Sequence, residues 1–575
     1  MARGAGSSVG GVLLSLCLLL PGPLHAQAGL TRDEVLRLPA PLRAAAADFG
    51  AVRCDGSAVM GLMAGEDPLV ERVVALRIDG ATVLPAGDFE RLSAALPGFA
   101  ASREGLARLA AAVECRYREL GYVFARAAVF AESPTETGRY RVSVSEGVVQ
   151  QVEALAENES LARLALRAFA GVIEGRPLQA ADVRRGLAHA ASVGLTDLRP
   201  TIRRSRLDPT GLDIVLIVAS NPDQLFVQGL NGNAEALGPI GLLAGVRLSG
   251  LTALEERTTF GVYAVTDIRE QWSAQVDSEA LLGGGGLRGR LGGAYSRSRP
   301  GAVLAPLEIE AKTRFLAAEL SALLRVRRGL VSYWRAGLES VEQRTSFLGG
   351  LPLGDDRLRV AFAGVRADGV FGDGGWLWHA DLQLRRGIDV WGASRRGDPD
   401  LSRFDADPQA LVVRGEAGLG LQLSRHVALL GSLRSQWSAD PLMAFERISF
   451  GGLNGGAGFD PGALVGDSGV TASLQVFFVA WPVGRTGTVR PFAQVTAARL
   501  WTTDDLGLAA SRGAAFGVGL QWAANRAWQI EASVVEPFGR IEGTGEDAYG
   551  RRFLMRVTGS FEWRTRHRTD SEIGQ

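Results

Sequence analysis

Lysine, cysteine and histidine are scarce in this chain. Its 575 residues include three cysteines and five histidines, and Lys312 is the only lysine. The cysteines and histidines lack the short spacing with which zinc sites hold their ligands, so we predict no metal. The glycine runs at 283–286 and 451–458 lack the lysine and hydroxyl residue of a phosphate-binding loop, so we predict no cofactor.

Nucleophilic catalysis is not predicted either. Gly466-Asp467-Ser468-Gly469 looks like the motif around a serine-protease nucleophile, but such a serine needs a histidine base and an orienting acid. None of the five histidines lies in a protease-like sequence context. We interpret the motif as a turn beside a loop and predict that the protein is not an enzyme.

An excess of charge of one sign is also missing. The 62 lysines and arginines balance the 62 aspartates and glutamates. Without a basic surface field, nothing favours nucleic acid as a partner. The chain length exceeds what one ordinary core accommodates, so several structural units are expected.

Long hydrophobic runs are absent as well. The apolar segment Val12–Leu20 is shorter than the roughly 20 residues of a membrane-spanning helix. A positive residue before it and the small residues of Ala26-Gln27-Ala28 after it predict a cleaved signal peptide over residues 1–28. The mature chain keeps Cys54 and Cys115, which could pair in an oxidising periplasm or remain two unrelated thiols.

Two small α/β domains are predicted after the signal peptide. Residues 29–70 carry a capping box at Thr31-Arg32-Asp33-Glu34 and are interpreted as an N-terminal helix and linker. Residues 71–148 follow the order β-α-α-β-β: two-residue alternation, two stretches of helical spacing, then two strands. Residues 149–221 repeat this order, and Asp208-Pro209-Thr210-Gly211 marks a turn between the last two strands.

Beyond Asn221 the helical spacing stops, and two-residue alternation continues to about Arg564. The last segment places the following residues on one face: Phe553, Met555, Val557, Gly559, Phe561 and Trp563. A soluble sandwich would bury that face against a second sheet, whereas a membrane barrel turns it to lipid and keeps the polar face in a wet lumen. Closure is expected because an open sheet edge would leave backbone groups unpaired in lipid.

The length of the alternating region sets the strand number. Residues 222–564, at roughly 10 residues per strand plus loops, predict a transmembrane antiparallel β-barrel of about 16 strands. Residues 565–575 form a polar tail. The clearest alternating segments are 257–266, 272–277, 314–325, 330–339, 358–367, 376–385, 412–423, 470–478, 490–500, 514–522 and 528–535.

Several motifs resemble those of a known family. Leu76-Arg77-Ile78-Asp79-Gly80-Ala81-Thr82 is similar to a family strand I-x-V-x-G-x-T, and Tyr117-Arg118-Glu119-Leu120-Gly121-Tyr122 is similar to Y-R-x-x-G-Y. Val144-Ser145-Glu146-Gly147 is similar to the closing V-x-E-G. With the domain order, these motifs resemble the two-partner secretion transporters, the haemolysin-activator outer-membrane proteins of the Omp85 superfamily. The two small domains would then be POTRA domains 1 and 2.

The resemblance implies a long loop near residues 446–469 that folds back into the barrel. The family has V-R-G-[YF] at the loop tip, where this chain has Gly456-Ala457-Gly458-Phe459-Asp460, so Ala457 replaces the arginine. The family's inner-wall aspartate corresponds to Thr496. Loss of both charges together is reasonable, because one charge left alone in a partly buried site is costly. We expect glycine packing and Phe459 to hold the loop, with Thr496 as its inner-wall partner.

The resemblance also implies a function. The protein would lie in the outer membrane of a Gram-negative bacterium, in contact with lipid, as a monomeric barrel. It would export a large secreted partner protein (TpsA-like), captured in extended form at a POTRA sheet edge and moved without nucleotide hydrolysis. The candidate capture residues are Arg116, Tyr117, Tyr122 and Arg126, with core packing as the alternative for the two tyrosines. The alternative functions are an Omp85-type assembly factor, which usually has more POTRA domains, and a passive porin, which needs none.

Overall fold

A small domain of one helix and three strands begins the part of the chain that the computed structural model describes. The described residues are 75–84, 87–88, 103–131, 139–195, 197–218, 223–371, 376–452, 455–484, 487–504, 507–525, 527–538 and 550–563. The predicted signal peptide, the segment 29–70, most of the first predicted helix of POTRA 1 and the polar tail lie outside these residues. Within them, no helix is long and apolar enough to cross a membrane.

In the described residues of the first small domain, one long helix packs on a three-stranded sheet. Its elements are β1 (Ala75–Asp79), α1 (Arg103–Glu119), β2 (Arg126–Ala131) and β3 (Arg139–Ser145). The central strand β3 runs parallel to β1 and antiparallel to β2. Leu109, Val113 and Tyr117 recur every four residues along α1 and are fully buried, because residues at that spacing share one helix face. The predicted second helix of this domain is therefore present.

The Glu146 carboxylate, at the end of β3, ties this domain together. It accepts hydrogen bonds from the Tyr117 hydroxyl at 2.5 Å, from the Val83 amide at 2.8 Å, and from the amide and hydroxyl of Thr82. Burial by itself would raise the pKa of this carboxyl group, but the bonds from Thr82, Tyr117 and Val83 outweigh it and lower the pKa. The glutamate of the V-x-E-G motif thus joins the helix, the first strand's turn and the last strand.

The second small domain repeats this architecture. Its elements are β4 (Val149–Ala156), α2 (Glu159–Ala168), α3 (Ala180–Ser192), β5 (Leu198–Arg204) and β6 (Leu212–Val218). The strand order is β4-β6-β5, with β4 and β6 parallel. Asn158 caps α2 by accepting the Leu161 amide at 2.8 Å. Phe169, Val183 and Ile214 are buried in its core.

A closed antiparallel β-barrel follows, as predicted. Sixteen strands of 8 to 21 residues form a ring in which the last strand pairs with the first, and a two-residue strand β21 (Trp481–Pro482) adds to it. The first half comprises β7 (Asp223–Leu230), β8 (Gly241–Ser249), β9 (Arg257–Val265), β10 (Gln271–Leu282), β11 (Leu287–Ser298), β12 (Glu310–Arg327), β13 (Leu330–Phe347) and β14 (Leu351–Phe371). The second half comprises β15 (Trp376–Gly387), β16 (Leu411–Gln422), β17 (Ala428–Ser438), β20 (Ser468–Phe477), β22 (Thr488–Asp504), β23 (Gly507–Ala523), β24 (Trp528–Phe538) and β25 (Arg552–Trp563).

The outer face of the barrel is apolar, as the sequence alternation predicts. On β25, Phe553, Met555, Phe561 and Trp563 are exposed, whereas Leu554 is buried. Exposed large apolar side chains recur on the strands around the ring. A soluble protein rarely leaves so much apolar surface uncovered, so this face fits lipid rather than water.

The second small domain packs against one end of the barrel, called the near end here. Arg167 donates to the Leu254 carbonyl at 3.1 Å, and Arg288 donates to the Ser192 carbonyl at 3.3 Å. Gly286, in the β10–β11 turn with φ +71°, faces His189 so closely that an added Cβ would lie 1.9 Å from Cε1 of that ring. Burial, and then the charge of Arg185, lower the pKa of His189 to about 4, so the imidazole is neutral in this contact.

The strands differ from the prediction in length. Strands β12, β13 and β14 have 18, 18 and 21 residues, although roughly 10 were expected for each. The end of the barrel opposite the small domains is called the far end here. There β14 is covered by the loop after β15, since the Asp355 amide donates to the Asp400 carbonyl at 2.7 Å. At this end of β14, the loop therefore supplies a hydrogen-bond partner for the strand's backbone.

The pH dependence of the first small domain tests the role of Glu146. Because folding lowers the pKa of this carboxyl below its usual value of 4.5, the ionised group stabilises the domain above that pH, and the stabilisation is lost as pH falls further. The protection of α1 amides against hydrogen exchange in the whole protein, measured relative to the intrinsic exchange rate at each pH, should therefore decrease below about pH 4.5. Glu146→Gln should exchange faster at neutral pH and lose most of this pH dependence. The exposed Glu119→Gln serves as the matched control, and equal behaviour of both variants would contradict the assignment.

Candidate functional site: a loop folded into the barrel

The connection between β17 and β20, residues 439–467, runs through the inside of the barrel. Glu446 in this loop contacts Arg385 on β15, whereas Asp460 contacts Arg552 on β25 at 2.7 Å. These two strands lie almost opposite each other in the closed ring. A single segment can contact both only by crossing the lumen, so this loop lies inside the barrel.

The start of the loop is held by a buried ionic cluster. The Glu446 carboxylate lies 2.7 Å from Nε of Arg385 and 3.2 Å from Nη2 of Arg414. Arg385 also lies 2.6 Å from Glu339 on β13, and the Gln436 side chain donates to the Glu446 carbonyl at 2.8 Å. Two arginines therefore face two glutamates. Such a cluster is stable only while every member keeps its partners, because each buried charge is costly alone.

The end of the loop is held by Asp467, which is fully buried. Arg403, from the loop after β15, donates to this carboxylate at 2.7 Å, and Nε of Arg447 lies 3.3 Å from it. The amides of Leu442 and Thr503 donate to it at 3.0 and 2.7 Å. The motif that looked like a protease nucleophile thus supplies an aspartate that joins both ends of the loop to the far end of the wall.

The middle of the loop is held by apolar contacts. Strands β18 (Ile448–Phe450) and β19 (Leu464–Gly466) form a small hairpin. Phe450 and Phe459 lie 5.5 Å apart between ring centroids and are buried with Leu464 against the inner faces of β22 to β25. Leu500 and Val535 belong to the same cluster.

Gly458 lies close to the wall at the loop tip. A Cβ added there would lie 3.3 Å from Cβ of Ala515 and 3.2 Å from Cγ1 of Val535, and its φ is +101°. Both the space and the backbone conformation therefore favour glycine. Ala457 and Phe459 on either side are buried, which agrees with the expectation that glycine packing and Phe459 hold the tip.

The polar anchor of the tip differs from the one expected. Thr496 lies on the inner face of β22, directly opposite Ala515 in the ladder. Its hydroxyl is buried, but it has no hydrogen-bond partner within the described part of the chain. The ion pair of the tip instead joins Asp460 to Arg552. Thr496 therefore occupies the expected position on the inner wall, but its hydroxyl does not act as a polar partner there. A threonine could replace the family's aspartate only if a hydrogen-bond donor faced it.

The candidate capture residues divide into a buried one and three accessible ones. Tyr117 is fully buried, so for this residue the core-packing alternative holds and the surface role is wrong. Tyr122 is half-buried and accepts a hydrogen bond from Gln179 at 2.6 Å. Arg116 forms an exposed ion pair with Glu119, and Arg126 is exposed at the start of β2.

Cys115 is disulfide-bonded. Its predicted partner Cys54 lies outside the described residues, so that pairing stays a prediction.

The residues that hold the loop were largely missed in the sequence. Arg385 was recognisable as a polar residue of an alternating strand, but nothing local identified Glu446 as its partner. Asp467 and Arg403 are 64 positions apart. The sequence does have charged residues at both ends of a glycine-rich segment. An ordinary flexible loop needs no such charges, so these residues were the signal from which the attachment could have been predicted.

Comparisons with known proteins agree with this architecture. Residues 72–147 match a family model described as POTRA domain, ShlB-type, and residues 308–520 match one described as haemolysin secretion/activation protein ShlB/FhaC/HecB. CdiB from Escherichia coli is similar over 96% of this chain and 98% of its own, at 18% identity and a TM-score of 0.73. CdiB from Acinetobacter baumannii is similar over 98% and 100%, at 13% identity and a TM-score of 0.65. No curated protein sequence matches.

Neutralising the loop's buried glutamate should release the loop. Glu446→Gln leaves Arg385 and Arg414 with one carboxylate between them, which costs about 3–5 kcal/mol in a buried site. We expect a larger and more variable single-channel conductance of the purified protein in planar bilayers. Asp389→Asn, which removes an exposed pair with Arg395, should leave conductance unchanged. If both variants conduct like the original protein, the cluster does not hold the loop.

The unpaired hydroxyl of Thr496 gives a second test, in which the variant is expected to remain stable. Thr496→Val keeps the shape of the side chain and removes a buried group without a partner, so the barrel should keep its thermal stability or gain up to about 1 kcal/mol. The measurement is the unfolding temperature in detergent, together with the channel conductance. A loss of stability or an opened channel would show that the hydroxyl contacts the loop.

Proposed function

We propose that this member of the haemolysin secretion/activation (ShlB/FhaC/HecB) family, an outer-membrane β-barrel transporter with periplasmic POTRA domains, exports a secreted partner protein (TpsA-like) through its lumen. The observation that carries the proposal is the docking of the second POTRA domain on the near end of the barrel. In this proposal the docking holds the two POTRA domains, the first of which would bind the cargo, at the mouth of the channel, and a passive porin would not require such an arrangement.

The first step of the proposal is capture at strand β2. In the described part of the chain, β2 pairs only with β3, so its other edge has no strand partner. Arg126, Ala128 and Phe130 are exposed on it. An extended segment of the cargo can add to such an edge through backbone hydrogen bonds. The exposed residues of β2 would then contact the side chains of that segment. Arg116 and Tyr122 lie in the flanking helix and turn.

The second step is passage along a polar lumen. On the inner face, Arg290 pairs with Asp277 at 2.7 Å and Arg335 pairs with Asp381 at 2.5 Å. Because these charges are already matched, the wall offers hydrogen bonds to a passing chain without a net attraction that would trap it. In this proposal, folding of the cargo outside the cell makes export irreversible, and no nucleotide is hydrolysed.

The third step is withdrawal of the loop tip. The two ends of the loop are fixed by buried charges, whereas the tip is fixed by apolar packing and by the partly exposed Asp460–Arg552 pair. A partly exposed ion pair contributes little, about 1 kcal/mol or less. The contacts of the tip are mostly apolar and can be lost one after another, so in this proposal the tip leaves the wall while the buried charges keep the two ends attached.

Crosslinking tests the capture step. Ala128→Cys on β2 should crosslink, through a short thiol-reactive linker, to alternate positions in a cysteine scan of the cargo's N-terminal segment. Alternation is expected because side chains of an added strand point to opposite faces in turn. The measurement is the pattern of crosslinked products in membranes of cells that produce both proteins.

Glu157→Cys, at an exposed position of the second POTRA domain, serves as the control. Its crosslinks should not alternate along the cargo segment. Crosslinks of Ala128→Cys to precursors of many barrel proteins would instead support an assembly factor. Absence of any crosslinked protein would favour a porin and contradict the capture step.

A further inference from the structure

Two arginines lie side by side on the outer surface of the barrel. Arg499 on β22 and Arg512 on β23 are direct partners in the antiparallel ladder, and both are exposed. Their neighbours on the same alternation, Val495 and Phe516, are exposed apolar residues, whereas Thr496 on the opposite alternation is buried. The two guanidinium groups are therefore on the lipid-facing side, not in the lumen.

This pair has no acidic partner among the residues that the structure describes. Apart from Asp504 at the end of β22, strands β20, β22 and β23 contain no aspartate or glutamate. On the next strand, Glu536 is bound by Arg551 at 2.6 Å. Like charges directly opposite each other in a sheet destabilise it. Among the described residues, the two guanidinium groups therefore lack an anion.

The height of the pair places it at the outer edge of the apolar band. Arg499 is ten residues beyond Val489, which lies at the near end of β22; this is about 25 Å along the barrel axis for a tilted strand. An apolar band of an outer-membrane barrel is about 25 Å tall. The Arg499 guanidinium carbon also lies 5.3 Å from the ring centroid of Trp501, a residue type that marks the membrane interface.

We propose that Arg499 and Arg512 form a binding site for a phosphate group of an outer-leaflet glycolipid, that is, lipopolysaccharide. The far end of the barrel faces the cell exterior, because the POTRA domains at the near end are periplasmic. Phosphates of the glycolipid anchor lie at the level of the interface. Two guanidinium forks match phosphate oxygens through bidentate, charge-assisted hydrogen bonds, which a single ammonium group cannot form.

This site does not depend on export. It requires only that the barrel lies in an asymmetric outer membrane, so it stands even if the cargo or the capture step is different. The glycolipid would also supply the charge that the like-charged pair lacks, and so stabilise the β22–β23 hairpin beside the inward loop.

Lipid binding by the full-length protein tests the proposal. The probe is purified lipid A, either with both phosphates or dephosphorylated, added to the protein in detergent and followed by native mass spectrometry and by the unfolding temperature. The phosphorylated form should bind and raise the unfolding temperature, and the dephosphorylated form should not. Arg499→Gln with Arg512→Gln should weaken binding roughly tenfold for each lost guanidinium.

The matched control is Arg327→Gln with Arg328→Gln, which removes two exposed arginines at the near end and should bind like the original protein. Arg499→Lys with Arg512→Lys should bind with intermediate affinity. Equal binding by all variants, or equal binding of both lipid forms, would overturn the proposal. So would an equal stabilisation by inorganic phosphate alone, because the ligand would then be free phosphate rather than a lipid.

Discussion

Closure of the barrel by pairing between β25 and β7 is the constraint on which the rest of the structure depends. In lipid, an unpaired strand edge would leave a row of amides and carbonyls without partners at several kcal/mol each, so the ring has to close. Once it is closed, every strand has one face in lipid and one in the lumen. A long connection that turns inward can then only cross the lumen, where it meets charged groups from strands far apart in sequence.

The loop uses two kinds of attachment, and their difference follows from solvation. Its ends carry Glu446 and Asp467, whose charges are removed from water and are compensated by arginines and backbone amides. Losing one partner leaves a buried charge, so these attachments are all-or-none. Its tip rests on Phe450 and Phe459, whose contribution scales with buried area and can be lost gradually. In our proposal, a segment fixed at both ends by buried charges and in the middle by apolar contacts moves its middle without detaching.

The sequence predicted the features that repeat locally and missed those that depend on distant contacts. The alternation of β25 could be recognised in the sequence because nearly every lipid-facing position has a bulky apolar residue. Strand β11 was missed because glycines stand at 289, 292 and 293, which leaves little contrast between the faces. Tyr117 could be assigned to the core only once Glu146 was known to bind its hydroxyl. The replacement of the family's tip pair by Asp460–Arg552 needed the register of β25, which no local motif fixes.

Arginine supplies nearly all of the chain's positive charge, and its surroundings separate its roles. In the lumen, Arg385 and Arg335 each face carboxylates from neighbouring strands, so the protein itself compensates charges that would disturb the channel. At the outer rim of β11 and β12, Arg297 and Arg299 converge on Glu310 in the same way. Arg499 and Arg512 differ from this pattern, because they face lipid together and no carboxylate of the described residues pairs with them. In the lipopolysaccharide proposal, the outer leaflet supplies the anion that these two exposed arginines lack among the described residues.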